Sequence, residues 1–449
     1  MASILPIPAM QDLKVTLHES ILVLPSQETP KKSLFLSNID QILNYNIPTI
    51  HFFTANPDFP SETVAKRLKM ALEKVLVPYD FMAGRFKLNE QSGRLEIQCN
   101  AAGAGFVVAS SEYRLDDLGD FVHPNLGFRQ LAAQILDNLG PDDDQPLCTF
   151  QVTSFKCGGF AIGMSMNHAL FDGVSAQTFI ENLAAQAFED KPLSVIPCHN
   201  RHLLAARSPP HVAFPHPEFS KPDMPAVSGP PVFDCEREEL DYKIFKLTTS
   251  AINYLKEKAK DNSSSATTKI TSYNVLAALI WRCKALSFDD NDHNREDRVS
   301  TLLNVVDIRS RLNPPLPSSY CGNAVLVAYA SAKCQDLEKW PFSEVVKMVS
   351  EGPTRVSDEY AKSVIDWLEI NKGLPCGEYM VTSWMRLRFD QVVYPWGKPV
   401  HSGPVVSHRK DICWVFQDST DAGINALVSL PANDMERFQA YFRDFFPDA

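Results

Sequence analysis

The sequence predicts a two-domain protein of the mixed α/β (α+β) class, and three observations carry that prediction. Its 449 residues exceed what one hydrophobic core usually serves. Eight prolines crowd residues 201–234 ("SPPHVAFPHPEFSKPDMPAVSGPP"), where fixed φ angles and missing donors exclude helix and central strand. On either side, segments of helical hydrophobic period alternate with short runs of period two, without the regular repeat of a βαβ barrel. The domains are therefore expected at 1–200 and 235–449, with 201–234 as a long crossover.

"SETVAKRLKMALEKVL" puts Val64, Leu68, Ala71, Leu72 and Val75 on one helical stripe, with Ser61 as N-cap after a proline. "GRLEIQC" (93–99) and "CTFQVTSF" (148–155) read as short strands. "GGFAIGMSMNH" alternates: Phe160, Ile162, Met164 and Met166 share one face, and Ala161, Gly163, Ser165 and Asn167 the other. "AQTFIENLAAQAF" (176–188) is a helix, so "HALFDG" connects strand to helix, a turn that Asp172 and Gly173 suit. Past the crossover, "SYNVLAALIWRCKAL" (272–286) is a mostly buried helix, and "VSTLLNVVDI" (299–308) and "ICWVFQ" (412–417) are buried strands. At the end, "NDMERFQAYFRDFF" is an amphipathic helix capped by Asn433, with Glu436 completing a capping box.

A net charge of −11 excludes the global basic surface a nucleic-acid binder needs. One local basic stretch holds Lys256, Lys258, Lys260 and Lys269, either a solvated helix face or a patch for an anionic small molecule. Ten cysteines scattered from Cys99 to Cys413, with no C-x-x-C, make neither a disulfide framework nor a zinc site; they read as buried reduced thiols. No apolar run reaches the ~18 to 20 residues that span a bilayer. "MASILPIPAMQDLKV" lacks the basic flank and long apolar core of a secretory signal, and "FFPDA" matches no lipidation signal, so a soluble cytoplasmic protein is expected. In that compartment the sequon Asn262-Ser263-Ser264 has no glycosylation to receive.

His168 finishes the apolar face of its strand, where strand-end loops build active sites. One His and one Asp leave a metal short of ligands, so no metal is expected. A satisfied core histidine and a general base both remain open on the residues alone, since histidine titrates near pH ~6.5. Ser165 is no hydrolase nucleophile, because "GMSMN" lacks the second glycine of G-x-S-x-G.

"NHALFDG" resembles the H-x-x-x-D signature of the plant BAHD acyltransferases. So do, in order along the chain, "FLSNIDQ" (35–41), "AGRF" (83–86), "LEIQCNAAGAGF" (95–106), "VTSFKCGGFAIG" (152–163), "VDIRSRLNPPLPSSYCGNA" (306–324), "TSWMRL" (382–387) and "PWGKP" (395–399). The resemblance implies two chloramphenicol-acetyltransferase-like domains with a solvent channel between them, and a monomer with acyl-CoA as cosubstrate and no resident cofactor. It implies that His168 deprotonates a hydroxyl or amine acceptor, which attacks the thioester directly. Asp172 then holds the loop, Thr382 and Trp384 donate to the oxyanion, and Lys256, Lys258 and Ser272 meet CoA. Asn46 and His51 fall on the acceptor side, and the first-domain wording is most similar to the brassinosteroid-linked subgroup.

The second family signature, D-F-G-W-G, departs here to Val393-Tyr394-Pro395-Trp396-Gly397. In relatives its aspartate pairs with an arginine corresponding to Arg309 or Arg311, and Asp390 is the nearby acid available to substitute. The degenerate motif leaves two alternatives beside the enzyme. One is a non-catalytic accessory protein in lipid or wax synthesis, and the other a plain small-molecule binding module.

Overall fold

The computed structural model describes residues 2–5, 12–122, 125–140, 144–221, 239–260, 270–288, 297–405, 409–418 and 423–446. The first half runs β1 (Ala2–Leu5), β2 (Val15–Val23), β3 (Lys32–Phe35), α1 (Asn38–Gln41), β4 (Asn46–Phe53) and α2 (Ser61–Val75). It continues through β5 (Arg85–Asn89), β6 (Arg94–Cys99), β7 (Ala104–Ser111), β8 (Cys148–Ser154), β9 (Phe160–Asn167) and α3 (Gly173–Ala187). The short β10 (Phe219–Ser220) precedes β11 (Asp241–Leu247), α4 (Thr249–Lys258), α5 (Ser272–Leu286), β12 (Val299–Asp307) and β13 (Val325–Lys333). Then come α6 (Cys334–Lys339), α7 (Phe342–Arg355), α8 (Asp358–Asn371), β14 (Leu374–Pro375) and β15 (Tyr379–Ser383). β16 (His401–Pro404), β17 (Ile412–Gln417), β18 (Ile424–Leu430) and α9 (Ala432–Asp444) close the chain.

Two large sheets organise these elements. One has the order β16-β4-β9-β8-β7-β2 and the other β1-β11-β18-β17-β15-β12-β13. Each sheet takes an edge strand from the far half of the sequence. β16 lies against β4 with Ser402 opposite His51, and β1 lies against β11 with Ala2 opposite Leu247.

In the first sheet, β9 works as its alternation predicts. Phe160, Ile162, Met164 and Met166 join a core with the α2 stripe Val64, Leu68, Ala71, Leu72 and Val75. Each such side chain contributes roughly 1.5–3 kcal/mol on burial. The other face of β9 carries Gly163 because the 126–131 turn presses on it: a Cβ there would lie 1.9 Å from the Leu131 carbonyl oxygen. In the second half α5 is buried on nearly all sides, and its Trp281 indole donates to Ser300 Oγ at 2.9 Å.

Two caps differ from expectation for one reason. Proline takes the N-cap position of both α2 (Pro60) and α9 (Pro431), so Ser61 is already helical and Asn433 lies in the first turn. A proline carbonyl accepts the first helical N–H as well as any other residue's, Val64 to Pro60 at 3.0 Å and Met435 to Pro431 at 2.9 Å.

The described part of the crossover holds neither an α-helix nor a strand of the two large sheets, but it is not without local structure. Arg201–Leu204 forms a 3-10 turn and β10 pairs with β14, both outside the densest prolines. The segment is also strapped to α8. Asp366 accepts from the Arg207 and His211 N–H groups at 2.8 and 2.7 Å, and Ser363 Oγ from those of Ala213 and Phe214 at 2.9 and 3.3 Å. Beneath the strap, His216 bridges Ser363 (2.8 Å) and Glu218 (3.2 Å), with the Tyr360 hydroxyl donating to Glu218 at 2.6 Å. Residues 222–234 of the crossover, Lys269 and the sequon at Asn262 lie outside the described residues. Among the described residues no helix is long and apolar enough to cross a membrane.

Candidate active site

β9 ends at Asn167, and His168 opens the turn into α3. The turn is held at both ends. The His168 N–H donates to the Tyr45 carbonyl at 2.7 Å, and the Asn167 side chain links the Ala169 N–H (3.0 Å) to Asn44 (2.9 Å). At the other end Asp172 is the N-cap of α3 and accepts from the Ser175 N–H at 3.0 Å. Its carboxylate also receives both Nη atoms of Arg309, at 2.8 and 2.9 Å, and the Ala324 N–H at 2.9 Å. Four donors on a carboxylate only 3% exposed leave it no lone pair for a substrate.

That pairing corrects the expectation for the second motif. Arg309 belongs to Asp172, and Arg311 donates to the carbonyls of Pro353 and Val356 at 2.6 and 3.0 Å. Val393 is 51% exposed, Asp390 accepts from its neighbour Gln391, and among the described residues no buried arginine is left unpaired at this position. Tyr394 and Trp396 are the buried members, stacked 5.0 Å apart, with both rings edge-on to Phe53.

The His168 ring is half-buried beside Tyr45, with centroids 5.4 Å apart. Its Nδ1 lies 3.1 Å from Asn323 Oδ1, while Asn323 Nδ2 donates to the His168 carbonyl and to Asp40 Oδ1, each at 2.8 Å. Asp40 pairs in turn with Arg201 at 2.9 Å, and both side chains are fully buried. Burial pushes the His168 imidazole below its usual range; its own carbonyl, Asp172, Asn323 and Asp40 pull the other way. A neutral ring is a proton acceptor at neutral pH.

The other expected site residues fall into three groups. Asn46 stands opposite Asn167 in the β4–β9 register, next to His168. His51 stands opposite Ile162, roughly 17 Å further along the strand. It is buried against Ser402 (2.8 Å), and burial holds it down to about 3. Thr382 and Trp384 lie at the end of β15, where Trp384 packs edge-on against Trp414 at 5.2 Å and Phe389 at 5.7 Å. Phe389 in turn faces His51 at 6.1 Å, and Leu387 presses on Gly173, where a Cβ would meet it at 2.6 Å. The 384–389 segment thus reaches the first turn of α3.

Ser272 opens α5 after the Thr271 cap. Lys256 and Lys258 do not converge, because residues two apart on a helix face different ways. Lys258 lies over Tyr254 and Phe445, lining a cleft of about 470 Å³ with Arg282 and Asp444. Among the described residues no cluster of three or more His, Cys, Asp or Glu could hold a metal.

Asp40, Asn323, Arg201 and the Arg309–Asp172 pairing were not legible as site features. Asp40 and Asn323 do lie inside "FLSNIDQ" and "SSYCGNA", two of the blocks that resemble the family.

Comparison with known proteins identifies the family and the fold. The model of the Transferase family matches residues 13–445. The chain is 52% identical over 440 residues to the acyltransferase GLAUCE of Arabidopsis thaliana, covering 97% of each. It is 33% identical to shikimate O-hydroxycinnamoyltransferase of Nicotiana tabacum, over 96% of this chain and 100% of that one. The fold matches F. sporotrichioides TRI101, solved with coenzyme A and T-2, at a TM-score of 0.74 with 16% identity, covering 91% of this chain and 97% of that one. The chain therefore belongs to the Transferase family of plant BAHD acyltransferases, and is an acyltransferase with their two-domain fold.

Proposed function

We propose that this acyltransferase moves an acyl group from coenzyme A to a hydroxyl or amine of a plant small molecule, with His168 as general base. One observation carries the reading. His168 Nδ1 is engaged by Asn323, whereas among the described residues Nε2 has no hydrogen-bond partner. A neutral imidazole with one committed and one open nitrogen suits proton abstraction.

The acceptor, in the channel proposed between the halves, gives its proton to Nε2 as its oxygen or nitrogen bonds to the thioester carbon. The oxyanion so formed takes donors from the Thr382 hydroxyl and the Trp384 indole N–H. As it collapses the C–S bond breaks, and the CoA thiolate recovers the proton from His168. No acyl-enzyme is needed. The nearby Cys321 supports this, its thiol pushed up to about 12 by burial. Lys256 and Ser272 serve the CoA phosphates, and Asn46 the acceptor. The same reading takes the chain as a cytoplasmic monomer divided at 1–200, 201–234 and 235–449.

The test is a panel of acyl-CoAs and acceptors, read as thiol release and product mass, with wild type and His168→Ala. Loss of the base removes about 10²- to 10⁴-fold of turnover. An alanine variant keeping more than about a tenth of the rate overturns the assignment.

A further inference from the structure

We propose that Asn323, clamped by Asp40, is the positioning residue of the base: it fixes the His168 proton on Nδ1 and so keeps Nε2 open to accept one. This rests on the reading of His168 as base and adds the group, from the other half of the chain, that makes it one.

The hydrogen-bond inventory decides which way the amide faces. The two hydrogens of Asn323 Nδ2 go to Asp40 Oδ1 and to the His168 carbonyl, both at 2.8 Å. Turning the amide over would set its oxygen against a carboxylate and a carbonyl, two contacts without a proton. Oδ1 therefore faces Nδ1 at 3.1 Å, and an amide oxygen only accepts. The proton belongs on Nδ1.

Asp40 is itself fixed. Its Oδ1 accepts from Arg201 at 2.9 Å, and its Oδ2 from the Ser37 N–H and hydroxyl at 2.9 and 2.8 Å. Arg201 also donates to the carbonyls of Ala169 and Cys321 at 3.3 and 2.9 Å, tying the His168 turn to the Asn323 loop.

During transfer the acceptor's proton goes to Nε2 and the ring becomes imidazolium, its Nδ1–H still on Asn323. The proton then passes to the leaving thiolate, and the ring returns to the same tautomer. No bond of Asn323 changes. A neutral amide holds the tautomer without holding the imidazolium as firmly as a carboxylate would, which eases return of the proton.

The test uses full-length protein labelled with ¹⁵N-histidine, the His168 signals being assigned by their loss in His168→Gln. The wild type is expected to carry its proton on Nδ1, and Asn323→Ala to show both tautomers. Asn323→Ala should lower kcat about 10- to 100-fold, short of the full loss of a base. KM for acyl-CoA should stay within about twofold. The acid limb of kcat/KM should move to lower pH, because the Asn323 bond favours the charged ring. A wild-type spectrum with the proton on Nε2 overturns the proposal even if the alanine variant does not fold. So does an alanine variant with unchanged kcat or tautomer, since the ring's own carbonyl would then suffice. Failure of the base reading itself shows separately, as turnover surviving in His168→Ala.

Discussion

Arg309 grips Asp172 through two parallel N–H···O bonds, 2.8 Å from Nη1 to Oδ2 and 2.9 Å from Nη2 to Oδ1. One residue comes from each half, and the pair is nearly water-free. Asp172→Asn keeps the size and removes the charge, leaving the mostly buried guanidinium only the half-exposed Asp307 at 3.4 Å. The expected cost is about 3–5 kcal/mol in urea unfolding, with activity lost because the His168 turn loosens. Arg309→Lys should not rescue, because one ammonium cannot replace a fork. An Asp172→Asn protein as stable as wild type yet inactive would move this carboxylate into the chemistry.

Acid should destabilise the fold through buried histidines. His51 is held down to about 3 and His401 to about 4, both chiefly by burial. The unfolded chain takes up these protons near pH ~6.5 and the folded one does not, so stability falls as pH drops below that value. Between pH 7 and 5 the loss should be on the order of 2 kcal/mol per histidine. Urea titrations at both pH values test this. His51→Gln should flatten the slope; an unaltered slope would mean that His51 is not held neutral.

The degenerate second motif divides into a surface half and a core half. Val393→Asp, at an exposed position, should shift stability by no more than about 0.5 kcal/mol and leave turnover unchanged. Trp396→Ala removes a buried ring packed on Phe53 and Phe160, and should cost about 3–5 kcal/mol. A tenfold gain in turnover from Val393→Asp would show that the family's missing carboxylate matters to the reaction.

Ser363 fastens the crossover. Ser363→Ala strands the N–H groups of Ala213 and Phe214 and leaves His216 Nε2 without its partner. About 2–4 kcal/mol of stability should go, with hydrogen exchange at those two amides accelerating ahead of the rest. Equal protection in both proteins would show that the prolines and the Asp366 contacts hold the segment without Ser363.

The periodic elements were legible because periodicity reports burial locally. The α2 stripe is wholly buried, and strands form at 412–417 and at 160–167, the second with its apolar alternation turned into the core. The proline caps escaped notice because Ser61 and Asn433 look like better caps than the residues that do the capping. The support of His168 was out of reach for another reason. Asp40 and Asn323 are 283 residues apart, and no local pattern announces a partner at that distance. Val393 misled through analogy: a charge buried in relatives need not mark a buried site here, and solvent already hydrates this position.

The traded edge strands bear on heredity and engineering alike. Because β1 completes the second sheet and β16 the first, neither half is a module that recombination could lift into another protein intact. A break in the crossover would leave two fragments interlocked, each still carrying a piece of the other. The molecule should therefore melt in a single transition, with nicked and intact chains differing in refolding far more than in native shape.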